Sequence, residues 1–477
     1  MMRLLFLIIL ISGLATAQNS DNNKVIWDLQ RCVEYALENN LSVKQTALGV
    51  DRANSTLDQS RQELLPNLNG NVNGNLSDGF VNDPTTNTIS KQTVISSNVG
   101  LSSGYTVYAG GQIRNSILQN EINLKASDLD LEATQNDITL AVVQGYVNIL
   151  LQQELVESAD FQLASTKERR ERTNKLVKAG AAAPAALLDI ESQIATEELA
   201  VINARNQVQF AYMRLMQLLR LPLDNPFGVK RPELPEPEGI DGIMKPADIY
   251  KVAELNQPVI RAADLRIQSA DYGIKLAEGG GRPTLSLNAG LNSVYASTGR
   301  RPGEQIGVVD GNPFAIKLAG EEVTITPINP IFSERAYPIW AQLWDRVNWG
   351  VGANLSIPIF NRGRVVNNIE QARINKLQSE LNSEIQRQTL EQTIQQASFD
   401  VKSSFAQYEA TIKQVEALEM AFENAEKQFN LGVINSVDYL VAKNNLNRSN
   451  NDLIRAKYDF IFKSKILDFY AGREIKL

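Results

Sequence analysis

The most regular pattern in the chain is a stripe of apolar residues seven apart, Val401, Tyr408, Val415, Phe422 and Phe429, with Phe405 and Ile412 on the same side. A seven-residue period marks a coiled-coil seam rather than the wider stripe of an ordinary surface helix. The stretch opens after Phe360-Asn-Arg-Gly363, meets neither Pro nor Gly until Gly432, and then continues to Gly472. The same object occurs earlier at one constant offset: Tyr108-Ala-Gly-Gly111 sits over Phe360-Asn-Arg-Gly363, Gly180 over Gly432 and Leu188 over Leu440. The chain is therefore an internal duplication, and the repeated unit is what requires explanation.

From the N-terminal side, Leu29, Val33, Ala36, Leu37 and Leu41 predict a helix over Val25 to about Gln62, ended by Pro66. The period then drops to two. In Leu68-Asn-Gly-Asn-Val-Asn-Gly-Asn-Leu76 the asparagines, among them Asn69, Asn71 and Asn73, fall on one face and the apolar and glycine residues on the other. A second strand places Val99, Leu101, Tyr105 and Val107 opposite Gly100, Ser102, Gly104 and Thr106. The first repeat thus spans residues 18–221, with strands at about 67–77 and 98–108, a long helix over 112–178 and a helix over 183–220. Residues 222–246 are Pro-rich, lack any helical or alternating pattern, and read as the connector.

The second repeat, 247–472, begins with a helix over Ile249 to Ala277, in which Ala253 sits over Ala36 and Asn256 over Asn39. Strands follow at about 284–292 and 350–358, the first with Asn288 and Asn292 and the second with Asn354 on the polar face. A long helix over 362–430, a helix over 434–471 and a short tail, 473–477, complete it. A helix of the length of 112–178 is about 100 Å long. Only the helix before the strands and the helix after the glycine break, laid end to end, match it. The repeats differ mainly in the strand connection: Asn292 to Asn348 is long and carries Tyr295, Phe314, Phe332, Tyr337, Trp340, Trp344 and Trp349. Such an insert is either a binding or covering element, or a lid packed on itself.

Composition narrows the chemistry. The 477 residues include no His and one Cys, which excludes imidazole-based zinc sites and His general-base catalysis. No carboxylate pair is marked as a catalytic site, and neither the serines nor Cys32 has a recognisable base. Glu278-Gly-Gly-Gly281 lacks the spacing of a phosphate-binding loop and follows a helix rather than a strand. No cofactor or metal is expected, and a net charge of -7 argues against a nucleic-acid groove. Met1–Ala17 has the charged end, short apolar core and small-residue cleavage site of a secretory signal, with the mature start at Gln18. No Cys follows that site, so a lipid anchor there is not expected. Cys32 reads as a buried spectator thiol. Nothing beyond the signal is apolar enough for a transmembrane helix.

Four amphipathic strands of about nine to eleven residues have the length of transmembrane barrel strands. Four cannot close around a polar interior, and an open edge in lipid is prohibitive; three copies give an even number, twelve. Packing of the sheet on a soluble core remains the alternative. An exported coiled-coil scaffold or adhesin accounts for the helices but not for the strands, and a specific porin should show many more strands.

The doubled plan of helix, strand pair, long helix, glycine break and second helix resembles the TolC family of outer-membrane efflux channels. So does Phe429-Asn-Leu-Gly-Val-Ile-Asn-Ser-Val-Asp-Tyr-Leu440. The resemblance covers essentially all of 18–477. It implies a mixed α/β membrane protein, a homotrimer whose twelve-stranded β-barrel, four strands per protomer, sits in outer-membrane lipid. A long α-helical coiled-coil barrel continues it across the periplasm. It also implies an inner-membrane efflux or secretion transporter and a periplasmic adaptor (membrane fusion) protein docked at the helical tips, here Gly180 and Gly432. The asparagines named above would line the lumen. Asp438 matches the first carboxylate of the family's acidic entrance; the second position is Val441 here, so the entrance is less acidic than that pattern. Asp189 is a weaker entrance candidate from the first repeat.

Overall fold

The computed structural model describes residues 25–82, 89–180, 183–224, 226–233, 236–237, 239, 244–299, 305–318, 321–332, 337–473 and 475. The signal segment and the start at Gln18 lie outside them. In chain order the first repeat contains β1 (Val25–Trp27), α1 (Leu29–Asn39), α2 (Leu41–Gln62), β2 (Asn69–Asn82), β3 (Ile89–Ala109), α3 (Gln112–Lys178) and α4 (Pro184–Leu219). After β4 (Phe227–Val229) the second contains α5 (Pro246–Asn256), α6 (Pro258–Gly279) and β5 (Thr284–Ala296). Then come β6 (Gln305–Asp310), β7 (Phe314–Leu318), β8 (Glu321–Ile325), β9 (Ile328–Phe332) and α7 (Ile339–Asp345). β10 (Asn348–Ser356), α8 (Arg364–Asn430) and α9 (Ser436–Tyr470) end the chain. The helices divide between two compact units, and α2, α3, α6 and α8 pass from one to the other.

The first unit (residues 1–51, 125–264 and 381–477) is helical, and its buried positions repeat as the sequence does. Val142 and Ile149 of α3 are fully buried, as are Ile394 and Val401 at the equivalent places in α8. Ala36 of α1 and Ala253 of α5 are likewise buried. Two apolar clusters result: one around Tyr146, Leu150, Leu215 and Leu219, the other around Ile249, Ile394, Val401 and Phe460. The seven-residue stripe continues along α8 through Tyr408, which is buried, to Phe422 and Phe429, which are half-buried.

Three expectations are corrected here. The helix expected over Val25 to Gln62 is a short strand and two helices. Asn40 breaks it: its Oδ1 accepts from the Ser42 amide at 2.8 Å, capping α2, and its Nδ2 donates to the Leu218 carbonyl at 3.1 Å. The second repeat breaks at the equivalent Gln257, before Pro258. The connector is not patternless either, because β4 pairs in parallel with β1, Val25 facing Phe227 and Trp27 facing Val229. Trp27 packs edge-on against Phe227 at 5.4 Å, and the Tyr146 hydroxyl donates to the Lys230 carbonyl. Glu236, further along the connector, accepts from Lys457 Nζ at 2.6 Å and from the Tyr408 hydroxyl at 2.8 Å. These bonds, that to Lys457 foremost, hold its carboxyl below the usual range.

The second unit (residues 52–124 and 265–380) is built on one antiparallel sheet in the order β10-β5-β3-β2. β2 and β3 run further than the sequence suggests, pairing from Asn69 with Ser102 out to Asn82 with Ile89. β3 also pairs with β5, with a bulge between Thr106 and Tyr108. The long insert carries elements of its own that pair with one another or pack on the sheet: β6 pairs with β9 and β7 with β8, and α7 packs on β5.

The Gly-rich stretch at 278–281 ends α6 where it meets the turn between β3 and α3. Gly110 has φ +62, and a Cβ there would collide with the carbonyl oxygen of Gly279, so this crossing accepts glycine only. In the second repeat the same left-handed position is Arg362, at φ 57 and exposed. Without the close crossing, a side chain is tolerated at a cost of roughly 1–2 kcal/mol.

Candidate functional site

Two places bring the residues singled out by the sequence together: the faces of the sheet in the second unit, and the helix ends of the first.

Strand pairing fixes which side chains share a face. Asn69, Asn71 and Asn73 lie opposite Ser102, Gly100 and Asn98 of β3. Gly100 in turn faces Asn292, and Gly104 faces Asn288. On the outer side of β5, Asn288 faces Gly352, and Asn354 faces Ser286. All six asparagines therefore stand on one face, joined there by Asn75, Asn98 and Asn348. Gly100 makes room for the convergence: a Cβ would run into the carboxamides of Asn292 and Asn71. Next to it, Asn67 Oδ1 accepts from the Gly104 amide at 2.8 Å.

The opposite face is apolar and largely uncovered. Val72 faces Val99, Leu101 faces Leu291, Leu287 faces both Tyr105 and Ala353, and Leu355 faces Leu285. Val72, Leu76, Leu101, Leu287, Val351 and Leu355 are exposed; Val99 and Leu285 are half-buried. Leu68 and Ile357, one residue outside the strand ends, are also exposed. A contiguous apolar face of this size implies an apolar partner.

At the helix ends, Gly432 adopts φ +73. Its amide donates to the Phe429 carbonyl at 3.0 Å while that of Val433 donates to Gln428 at 2.9 Å. This is the paired bonding by which a left-handed residue stops a helix. Gly180 has φ +71, and its amide donates to the Val177 carbonyl at 3.0 Å. A Cβ at either glycine meets nothing within 4 Å, so both turns present open surface.

Asn435 then caps α9, its Oδ1 accepting from the Asp438 amide at 2.9 Å. Asp438 itself is exposed on the first turn, where a carboxylate suits the helix dipole. Asp189 is placed differently. It is half-buried on α4 and accepts from the Ser436 hydroxyl at 2.5 Å, tying the start of α4 to the start of α9.

Behind these residues lies a lock that sequence reasoning missed. Tyr439 is buried, stacked on Phe429 at 5.0 Å and beside Phe422 at 5.5 Å, with the Arg169 guanidinium 4.0 Å over its ring. Burial pushes its hydroxyl up to about 12, against the lowering effect of Arg169. Arg169 also pairs with Glu426, joining α3 to α8. One helical turn further, Lys443 donates to Thr166 and, at 3.1 Å, to Glu197 Oε1, joining α9 to α3 and α4. Gln193 Nε2 bridges Glu197 at 2.9 Å and Asn444 at 3.1 Å. The signal was available: Lys443 follows Tyr439 by one turn, so the two share a face of α9, and a lysine beside a buried tyrosine demands a partner.

Among the described residues no cluster of His, Cys, Asp and Glu could hold a metal ion, and no helix is long and apolar enough to cross a membrane. Cys32 is free and fully buried, and burial pushes its thiol up to about 12, which keeps it protonated at neutral pH.

The family model described as "Outer membrane efflux protein" matches residues 32–219 and 333–473. The outer membrane efflux protein BepC of Brucella suis biovar 1 (strain 1330) is 22% identical over 440 residues, which are 92% of this chain and 84% of that one. The crystal structure of CusC superposes with a TM-score of 0.73 at 18% identity, covering 96% of both chains. The Campylobacter jejuni outer-membrane channel CmeC gives 0.69 at 20% identity over 93% of this chain and 85% of that one. The duplicated helices, the two-faced sheet and the family match agree: this chain belongs to the outer membrane efflux protein family, and is an outer-membrane exit channel of the TolC kind.

Proposed function

We propose that three copies of the chain close a channel by pairing β10 of each with β2 of the next, so that twelve strands form a barrel in the outer membrane. The observation that carries this reading is the sheet itself, with two free edges and two chemically opposite faces. An unpaired strand edge in hydrocarbon leaves backbone groups unsatisfied at several kcal/mol each, so such a sheet is viable in lipid only when closed. The asparagine face then lines the lumen and the apolar face meets lipid. The helices carry the duct toward the periplasm. An adaptor docks at the turns marked by Gly180 and Gly432, and an inner-membrane transporter supplies the cargo. The chain performs no covalent step; it is a passive conduit without a cofactor. Imaging of the purified protein in detergent tests this directly: a three-fold particle is expected, and a monomer or a two-fold particle would overturn it.

Docking at the tips has its own test. Gly432→Leu should abolish export while trimers still assemble and insert, because the new side chain projects into open space. Gly432→Ala carries the same backbone strain, about 1–2 kcal/mol, without the bulk, and should keep most export. Equal loss in both variants would tie the glycine to the turn alone.

For the entrance we assign Asp438 to the pore and the Asp189–Ser436 bond to a latch between α4 and α9. Three symmetry-related carboxylates around one axis attract cations, an effect that salt screens. In planar bilayers at low salt, Asp438→Asn should lower cation preference on the order of two- to threefold with trimer melting unchanged. Ser436→Ala should leave selectivity alone and raise the opening frequency. Exchanged outcomes would exchange the two roles.

A further inference from the structure

Among the described residues α7 has no counterpart in the first repeat, and its two faces have opposite fates. Gln342 is 1% exposed and holds the helix to the end of β5. Its Oε1 accepts from the Ala296 amide and its Nε2 donates to the Ala296 carbonyl, both at 3.1 Å. The side-chain amide thus takes the place of a strand residue on the edge of β5, beyond Asn292, where β10 stops pairing. The Ser293 hydroxyl adds a bond to the Leu343 carbonyl at 2.5 Å. Gly299 clears the space, since a Cβ there would collide with the Gln342 amide.

With Gln342 turned inward, helical geometry turns the residues two before and two after it outward. These are Trp340 and Trp344, one turn apart, at 80% and 82% exposure. The neighbouring Trp349, at 72%, lies on the apolar face of the sheet opposite Leu291. Burying indole rings is strongly favourable, so leaving three of them in water is costly. Strands β6 to β9 of the same unit, among the described residues, leave them exposed. Among the described residues, the charges on and beside α7 are engaged: the Tyr337 hydroxyl donates to Asp345, and the Arg346 guanidinium sits 5.7 Å from the Tyr337 ring.

Height decides what covers them. The thirteen residues of β5 rise about 40 Å along the strand, and barrel tilt reduces this to about 30 Å. Thr284 is at the helix-side end, near Tyr105 and Tyr108, and Ser293 to Ala296 are at the other. An outer-membrane barrel has an apolar band about 25 Å tall with aromatic residues at both rims. The end of β5 that carries α7 is at the outer rim. Trp349 falls a little inside it.

We infer that α7 is an interfacial anchor, its Trp340–Trp344 face seated at the headgroup–acyl boundary of the outer leaflet. The inference rests on the reading that the apolar face of the sheet meets lipid. It commits to a lipid surface because Trp349 lies on that face, α7 packs on β5 beside it, and the indoles stand at the height where amphipathic rings partition. α7 therefore fixes the depth of the barrel, and its Gln342 bond transmits that depth to β5.

The protein has four tryptophans, and the fourth, Trp27, is buried in the other unit and serves as background. The full chain is reconstituted in phosphatidylcholine vesicles brominated either near the headgroup or near the chain ends. Trp349→Phe, which keeps Trp340 and Trp344, should be quenched at least about twofold more by the shallow bromines than by the deep ones. Trp340→Phe/Trp344→Phe, which keeps Trp349, should be quenched by both. Changing all three to Phe should remove the quenching. Quenching of Trp349 with none of Trp340 and Trp344 would overturn the anchor and leave the lipid-facing sheet intact; quenching of neither would overturn both. Equal quenching of Trp340 and Trp344 by both probes would place α7 in the hydrocarbon and overturn its interfacial seat.

Discussion

Lys443→Met is expected to be the most destabilising single substitution in the helical unit, at about 3–5 kcal/mol. Lys443 and Glu197 are 8% and 7% exposed, so removing the ammonium strands a carboxylate that water cannot reach. Glu197 is already under-satisfied, its Oε2 having no hydrogen-bond partner among the described residues. The pair is thus held together more by the cost of separating it than by a net gain. It follows that Lys443→Met/Glu197→Leu should recover most of the loss. Urea unfolding in detergent at one fixed protein concentration reads both, since assembly makes stability concentration-dependent. A double variant as unstable as the single one would mean that the helices need these polar bonds themselves.

Leu287→Arg and Asn288→Arg should differ sharply although the positions are adjacent. Leu287 stands between Tyr105 and Ala353 on the apolar face; Asn288 stands between Gly104 and Gly352 on the polar one. An arginine facing lipid costs roughly 2–4 kcal/mol at mid-bilayer. Leu287 is three residues in from the start of β5, so the lower end of that range is expected. Folding into lipid vesicles, followed by a heat-modifiability shift on gels, should show Leu287→Arg impaired. Asn288→Arg should insert normally and change conductance. The reverse order would exchange lumen and lipid faces.

Both faces could be read from the sequence, because a period of two forces every second residue to the same side. The long helices were legible for a similar reason: α3 starts after Gly111 and stops before Gly180 with no Pro and the single Gly145 between, and α8 stops before Gly432 with neither Pro nor Gly inside it. What stayed hidden depends on partners far away in the chain. β1 is three residues long and exists because β4 pairs with it, which no local window reveals. Asn40 looked like one more helical residue until Leu218 appeared beside it. Lys443 carries a recognisable anomaly, a charge on the same face of α9 as Tyr439, but its partners Thr166 and Glu197 had no signal of their own. Gln342 was invisible altogether, since its role is to imitate a backbone.

The two long helices are each 67 residues, α4 and α9 are 36 and 35, and the shorter pairs α1/α5 and α2/α6 match at 11 and 22. Equal lengths constrain how such a gene can change. Adding or deleting residues in α3 alone would rotate every buried position beyond the change by about 100° per residue and strand Arg169 and Thr166 from Glu426 and Lys443. A viable change of helix length has to remove or add whole seven-residue blocks in both repeats together, a coordinated event that single mutations do not produce. The insert between β5 and β10 is free of that bookkeeping. Divergence in this lineage is therefore expected to accumulate as length variation in that one connection, while the helices diverge by substitution at fixed length.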